Sequence, residues 1–208
     1  MKNNNFLIIF GLVAIISFTI TFYSTTAFAQ STNQTSTLQS QQQQNSFCKL
    51  TESDMLGPFY KEGAPFKERF GEGVEGERLI ITGKVMDTRC QPIQDAILDV
   101  WQANSTGEYD NNGFTLRGKI KTNSDGTYLI DTILPKEYVA GDINRPGHIH
   151  LKVGAPNQPI LTTQLYFEGD PYLTDREDKS LVMKVTDENG TKKANFDFII
   201  EHYDQYEK

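Results

Sequence analysis

From Phe47 onward the chain never keeps a helical apolar period for three turns; it falls into short β-rich runs closed by turn residues. The runs are 79–85 (LIITGKV), 96–102 (AILDVWQ), 115–122, 126–132, 148–153, 161–168, 181–186 and 196–201. Pro92 and Asp95 mark the turn between the first two. Asn123-Ser124-Asp125-Gly126 is a hairpin signal, and Asp187-Glu188-Asn189-Gly190 precedes the last run. Residues 52–56 have room for one brief helical turn at most. Eight short strands so punctuated predict an all-β domain, an antiparallel sandwich or barrel. The sequence shows no internal repeat.

The domain is expected to span 47–208. Residues 6–22 (FLIIFGLVAIISFTITF) are almost wholly apolar, follow a single charge at Lys2, and precede Ala27-Phe28-Ala29, a small-x-small cleavage site before Gln30. This is the layout of a secretory signal peptide over 1–29. An uncleaved membrane anchor is the alternative, because the run sits at the lower edge of spanning length. Either way the rest of the chain is expected outside the cytoplasm, secreted and with no stable membrane insertion once the signal is cut. Residues 30–46 (QSTNQTSTLQSQQQQNS) are polar and of low complexity, and read as a disordered tether.

Removing 1–29 from the 208 residues leaves 179, enough for one domain burying roughly 70% of its unfolded surface. Lys2 is the only charge lost, so the net charge of −7 becomes −8. An acidic balance without basic clusters argues against a nucleic-acid partner. Two cysteines, Cys48 and Cys90, are expected to pair in an exported chain. Such a bridge would contribute roughly 4 kcal/mol on the chain-entropy estimate. Two buried free thiols are the alternative.

Of three histidines, His148 and His150 stand two apart in an expected strand, so they share a face roughly 6.6 Å apart. Two imidazoles so placed can converge on one metal at about 2.1 Å, while Ile149 and Leu151 face the core. Surface histidines on an edge strand are the plain alternative. A carboxylate such as Glu168 as third ligand would suit ferrous iron or zinc. His202, near the C-terminus, reads as a solvated tail residue. The histidines alone leave the metal open.

Tyr109 ends the segment Asp99-Val-Trp-Gln-Ala-Asn104 through Gly107-Glu-Tyr109, and Tyr138 lies ten residues before His148. Three further segments stand out: Gly57-Pro58-Phe59-Tyr60, Arg145-Pro-Gly-His-Ile-His150 and Thr163-Gln-Leu-Tyr-Phe-Glu-Gly-Asp-Pro171. With Gly126 to Leu134 leading into Pro135-x-x-Tyr138, these resemble, in order, the intradiol ring-cleaving dioxygenases of the catechol and protocatechuate type. The resemblance spans most of 50–172.

It implies a transthyretin-like (prealbumin-like) β-sandwich and non-haem Fe(3+) held by Tyr109, Tyr138, His148 and His150, with a solvent hydroxide as fifth ligand. Phenolate ligands suit a hard trivalent ion. It implies a catecholic substrate and O2 as partners, and ring opening between the two hydroxyls to a muconate-type diacid. Tyr138 would be the ligand that leaves the metal as base, and Tyr109 the permanent one. Arg145 would stabilise negative charge on the substrate, Gln164 would be its partner, and Phe59 or Tyr60 would line the pocket. Pro135-Lys-Glu-Tyr138-Val and Gly147 depart from the family pattern. No long helical N-terminal region is present, so the oligomeric state is left open. An extracellular binding module and the His–carboxylate metalloenzyme are the rival readings. Asn33, Asn104 and Asn189 match the glycan acceptor pattern.

Overall fold

The computed structural model describes residues 47–203. The expected signal peptide, the tether, Asn33 and the last five residues of the expected domain lie outside the described residues. Twelve strands are present among them: β1 Arg78–Met86, β2 Ile97–Gln102, β3 Arg117–Lys121, β4 Thr127–Ile133, β5 Tyr138–Ala140, β6 Ile143–Arg145, β7 His148–Gly154, β8 Leu161–Phe167, β9 Val182–Met183, β10 Thr186–Glu188, β11 Thr191–Asn195 and β12 Phe198–Ile199. A single 3-10 turn, Lys179–Leu181, is started by Asp178, whose carboxylate accepts from Ser180 N. It stands at the head of the expected strand 181–186, which is thereby cut down to β9. Residues 52–56 form no helix.

Two sheets face each other. One runs β3-β2-β7-β8-β9; in the other, β1 has β4 on one side and β11, β12 and β10 on the other, and β5-β6 is a separate hairpin. The β-sandwich expectation holds, but the sheets are mixed rather than wholly antiparallel. β1 pairs in parallel with β11 and β12, and β8 with β9. Asn189 and Gly190, both with positive φ, turn β10 back onto β11. Two successive positive φ values are what a tight hairpin needs.

Period-2 alternation decides what lies between the sheets. Leu79, Ile81 and Val85 of β1 and Ile130 of β4 meet Leu98 and Val100 of β2, Ile149, Leu151 and Val153 of β7, and Leu165 of β8 in one buried core. Cys48 and Cys90 are joined by a disulfide, and Cys48 N also donates to Thr88 O (2.8 Å). The start of the domain is thus tied to the turn after β1.

The outer face of the β2-β7-β8 sheet is unusual. Asp99, Trp101, His148, His150, Gln164 and Tyr166 alternate with the core residues, so they point outward, yet all are buried. Residues 54–60 cover them. Asp54 N donates to Thr162 O (2.9 Å), Gln164 Nε2 to Met55 O (2.8 Å), Arg117 Nη1 to Phe59 O, and Tyr60 Oη to Asp99 Oδ2 (3.2 Å).

Candidate metal centre

Strand register lines up one row of side chains across that face. Arg117 pairs with Trp101, Trp101 with His150, and His150 with Gln164. Cross-strand neighbours on one face touch, and Trp101 lies flat on the His150 ring, 4.9 Å between centroids and 3° between planes. His148 stands in the next row, opposite Tyr166.

The two histidines face each other through Nε2, 3.1 Å apart. His148 Nδ1 lies 2.6 Å from Pro146 O. A carbonyl only accepts, so Nδ1 carries the proton and Nε2 presents its lone pair to the site. Burial holds both rings neutral: His148 is pushed down to about 4 and His150 to about 2, the latter also by its neighbour His148.

Tyr109, on a loop, and Tyr138, at the start of β5, reach the same point. Tyr109 Oη is 3.4 Å from His148 Nε2, and the two tyrosine rings meet edge to face at 5.7 Å. Tyr138 also lies 5.6 Å from His148, ring to ring. Burial pushes both phenols up, Tyr109 also through its proximity to Tyr138, while Arg145 partly offsets the effect on Tyr138.

The Tyr109 loop is braced at both ends. Asn104 Oδ1 accepts from Thr106 N and Glu108 N, each at 2.9 Å, so this glycan-acceptor asparagine is a turn former. Asp110 accepts from Asn112 N, Gly113 N and Thr115 N at 2.7–3.0 Å, which holds its carboxyl well below the usual range. Gly107, with φ 84°, lets the loop press on the Tyr138 segment; a Cβ there would sit 2.6 Å from Glu137 O. Asn104 O accepts from Lys136 N (3.1 Å), which ties the two tyrosine segments together. Above the ring, Phe59 stacks on Tyr109 at 4.3 Å. The Arg117 guanidinium also lies 5.8 Å from the Tyr109 centroid, with its Nε donating to Asp110 O (2.8 Å).

Tyr138 is held differently. It begins the β5-β6 hairpin, directly opposite Arg145, with only Gly141 and Asp142 between the strands. Arg145 in turn donates through Nη2 to Gln164 Oε1 (2.9 Å) and Tyr166 Oη (3.3 Å), and through Nη1 to Met55 Sδ (3.3 Å). Its Nε is buried with no protein partner among the described residues. The departure at Gly147 has a steric cause: a Cβ there would stand 2.6 Å from Pro135 O, in the segment that leads to Tyr138.

The structure therefore brings together Tyr109, Tyr138, His148, His150, Arg145, Gln164 and Phe59. Tyr60 is turned away, onto Trp101 (4.9 Å) and Asp99. No hydrogen bond or ring contact joins His202 to the other histidines among the described residues. Glu168 is exposed on the turn after β8, and no three His, Cys, Asp or Glu side chains cluster at metal spacing among the described residues. The His–carboxylate alternative thus lacks its third ligand. Sequence reasoning passed over Trp101, Arg117, Asp54 and Tyr166. Tyr166 stands two residues after Gln164, so the alternation that paired His148 with His150 also placed it on this face.

A family profile described as "Dioxygenase" matches residues 55–204, which is most of the chain and takes in Tyr109, Tyr138, Arg145, His148, His150 and Gln164. The chain belongs to the intradiol dioxygenase family. Among the family's members, the chlorocatechol 1,2-dioxygenase of Rhodococcus opacus is 33% identical over 189 residues, covering 73% of this chain and 73% of the relative. The dioxygenase domain of a dioxygenase–carbohydrate-binding fusion from Streptomyces sp. SirexAA-E superposes with a TM-score of 0.68 at 34% identity, over 74% of this chain and all of that one. Catechol 1,2-dioxygenase from Pseudomonas arvilla C-1 superposes with a TM-score of 0.67 at 26% identity; the match covers 74% of this chain and 63% of that chain.

Proposed function

We propose that this family member cleaves catechol-type diols with dioxygen between the two hydroxyls, using ferric iron held by Tyr109, Tyr138, His148 and His150. The observation that carries the reading is the convergence of two phenols and two neutral imidazoles on one point of a buried sheet face. The donor set fits the ion. His148 presents a free lone pair, and two phenols that burial keeps protonated need a strong, hard cation to ionise them. When bound, the ion would supply the Lewis acidity that ionises the phenols and activates a catechol towards dioxygen.

The chain's own residues divide the remaining work. Tyr109 stacks on Phe59 and lies near Arg117 on a braced loop, and is assigned as the permanent ligand. Tyr138 sits on the separate β5-β6 hairpin, outside the two main sheets, and is assigned the substrate proton. Arg145 Nε, the donor without a partner, is left to meet negative charge developing on the ring. The export expected from residues 6–29 is part of the proposal. The Cys48–Cys90 disulfide supports it, since such bridges persist in oxidising compartments.

The test is a visible absorption spectrum of the iron-loaded protein before and after anaerobic catechol. A broad tyrosinate-to-ferric band that shifts on catechol addition and weakens in Tyr109→Phe is the expected result. A protein that stays colourless with both iron and catechol overturns the reading.

A further inference from the structure

The hydrogen bonds that hold Arg145 contain one link whose direction is not fixed by Arg145 itself. The Tyr166 hydroxyl has a single proton and two acceptors within reach, Asp54 Oδ2 at 2.8 Å and Gln164 Oε1 at 3.1 Å. A hydrogen bond to an ionised carboxylate is roughly twice as strong as one to a neutral amide, so the proton goes to Asp54. Both the Tyr166 oxygen and Gln164 Oε1 are then acceptors facing Arg145 Nη2. Gln164 cannot turn its amide over without losing the bond from its Nε2 to Met55 O (2.8 Å). If Asp54 is removed, the Tyr166 proton turns to Gln164 Oε1. There it shares that oxygen with the guanidinium and brings its hydrogen close to a cation.

We propose that Asp54 is a positioning residue for Arg145: its carboxylate sets the direction of the Tyr166 hydroxyl and so turns the oxygen lone pairs, rather than the hydrogen, towards the guanidinium. Asp54 acts chiefly through Tyr166, and its Oδ1 also lies 3.5 Å from Gln164 Nε2. Its own place is set by backbone, because Asp54 N donates to Thr162 O (2.9 Å) on β8. This goes beyond the sequence reading, in which Gln164 was the only partner of Arg145. It rests on the role given to Arg145 under Proposed function.

The test compares iron-loaded parent, Asp54→Ala, Asp54→Asn, Tyr166→Phe and the Asp54→Ala/Tyr166→Phe double variant. Asp54→Ala should lower kcat about 10-fold, one disturbed charge-assisted bond, with the affinity for anaerobic catechol, read from the shifted visible band, within about 2-fold. Asp54→Asn keeps an acceptor for the hydroxyl but one no stronger than the Gln164 amide, so it should recover only part of the loss. The double variant should be no slower than Asp54→Ala alone, because both changes break one chain. A crystal structure of the Asp54→Ala holoprotein should show Arg145 displaced from Gln164.

Equal losses in Asp54→Ala and Asp54→Asn, additive losses in the double variant, or an unmoved Arg145 would overturn the proposal and leave Asp54 as a fold residue only. A parent without a ferric band instead sinks the reading of the site itself, and the relay with it. A normal band with flat kcat across the variants sinks the relay alone.

Discussion

The outer faces of the two sheets are built by the same alternation and end in opposite states. Around β1, the outward residues Thr82, Lys84, Leu129, Lys193 and Asn195 are exposed, and the one buried polar group is Asp131, which accepts from Arg69 Nε (3.1 Å) and Arg78 Nη2 (2.8 Å). On the β3-β2-β7-β8 sheet the outward residues Asp99, Trp101, Arg117, His148, His150, Gln164 and Tyr166 are buried, with residues 54–60 bonded over them. A single covering segment makes the difference. Excluding water from one face keeps its histidines neutral and lets neighbouring groups orient its hydroxyls, as a metal centre needs. The other face stays an ordinary solvated surface.

That comparison is broken most severely by His150→Ala. It should abolish stable iron binding and lower kcat by at least about 10^3, as expected when the ion's several kcal/mol are lost; metal analysis and the visible band read it. Thr82→Ala on the opposite sheet should leave both within 2-fold.

Arg145→Gln comes next. The ferric band should persist while kcat falls about 10^2, the scale of one lost donor to a developing anion. A lost band would mean that Arg145 holds the fold of the hairpin rather than the chemistry.

Gly107→Ala meets both a positive φ and the Glu137 carbonyl, so thermal unfolding should show a loss of about 1–3 kcal/mol. The tyrosinate band should broaden too, because the clash falls between the two tyrosine segments. A stability loss with an unchanged band would separate loop packing from ligand geometry.

The smallest effect belongs to the β1 sheet. The Arg78 guanidinium beside Asp131 holds its carboxyl below the ordinary value of 3.8. A depressed carboxylate contributes stability that is present above its unfolded value and lost as pH falls through the folded one. The contribution should therefore fade below about pH 4. Both arginines are half exposed, so screening limits it to about 1 kcal/mol. Asp131→Asn should flatten this acid limb of the unfolding curve and leave the ferric band untouched.

Much of this was legible in the chain. Alternation and turn chemistry mark the strands carrying Leu79, Leu98, Ile149 and Leu165, because those signals are local. The same local rule puts His148 and His150 on one face, and the ordered motifs around Tyr109, Tyr138 and Arg145 carry the family resemblance. β11 (TKKAN) has no strand-like pattern; it is a strand because β1 offers it a parallel partner. Likewise Tyr138 and Arg145 face each other only because a two-residue turn closes β5 onto β6.

By itself, then, the sequence determined which residues alternate, which turns close, and which donor types the chain brings to a metal. Tertiary structure alone decided that Arg117, Trp101, His150 and Gln164 form one row, and that Phe59 rather than Tyr60 reaches the tyrosines. It also decided that Asp54 governs Tyr166. Register and burial join residues far apart in the chain, and a periodicity of two carries no information about which strand, or which covering segment, will lie alongside.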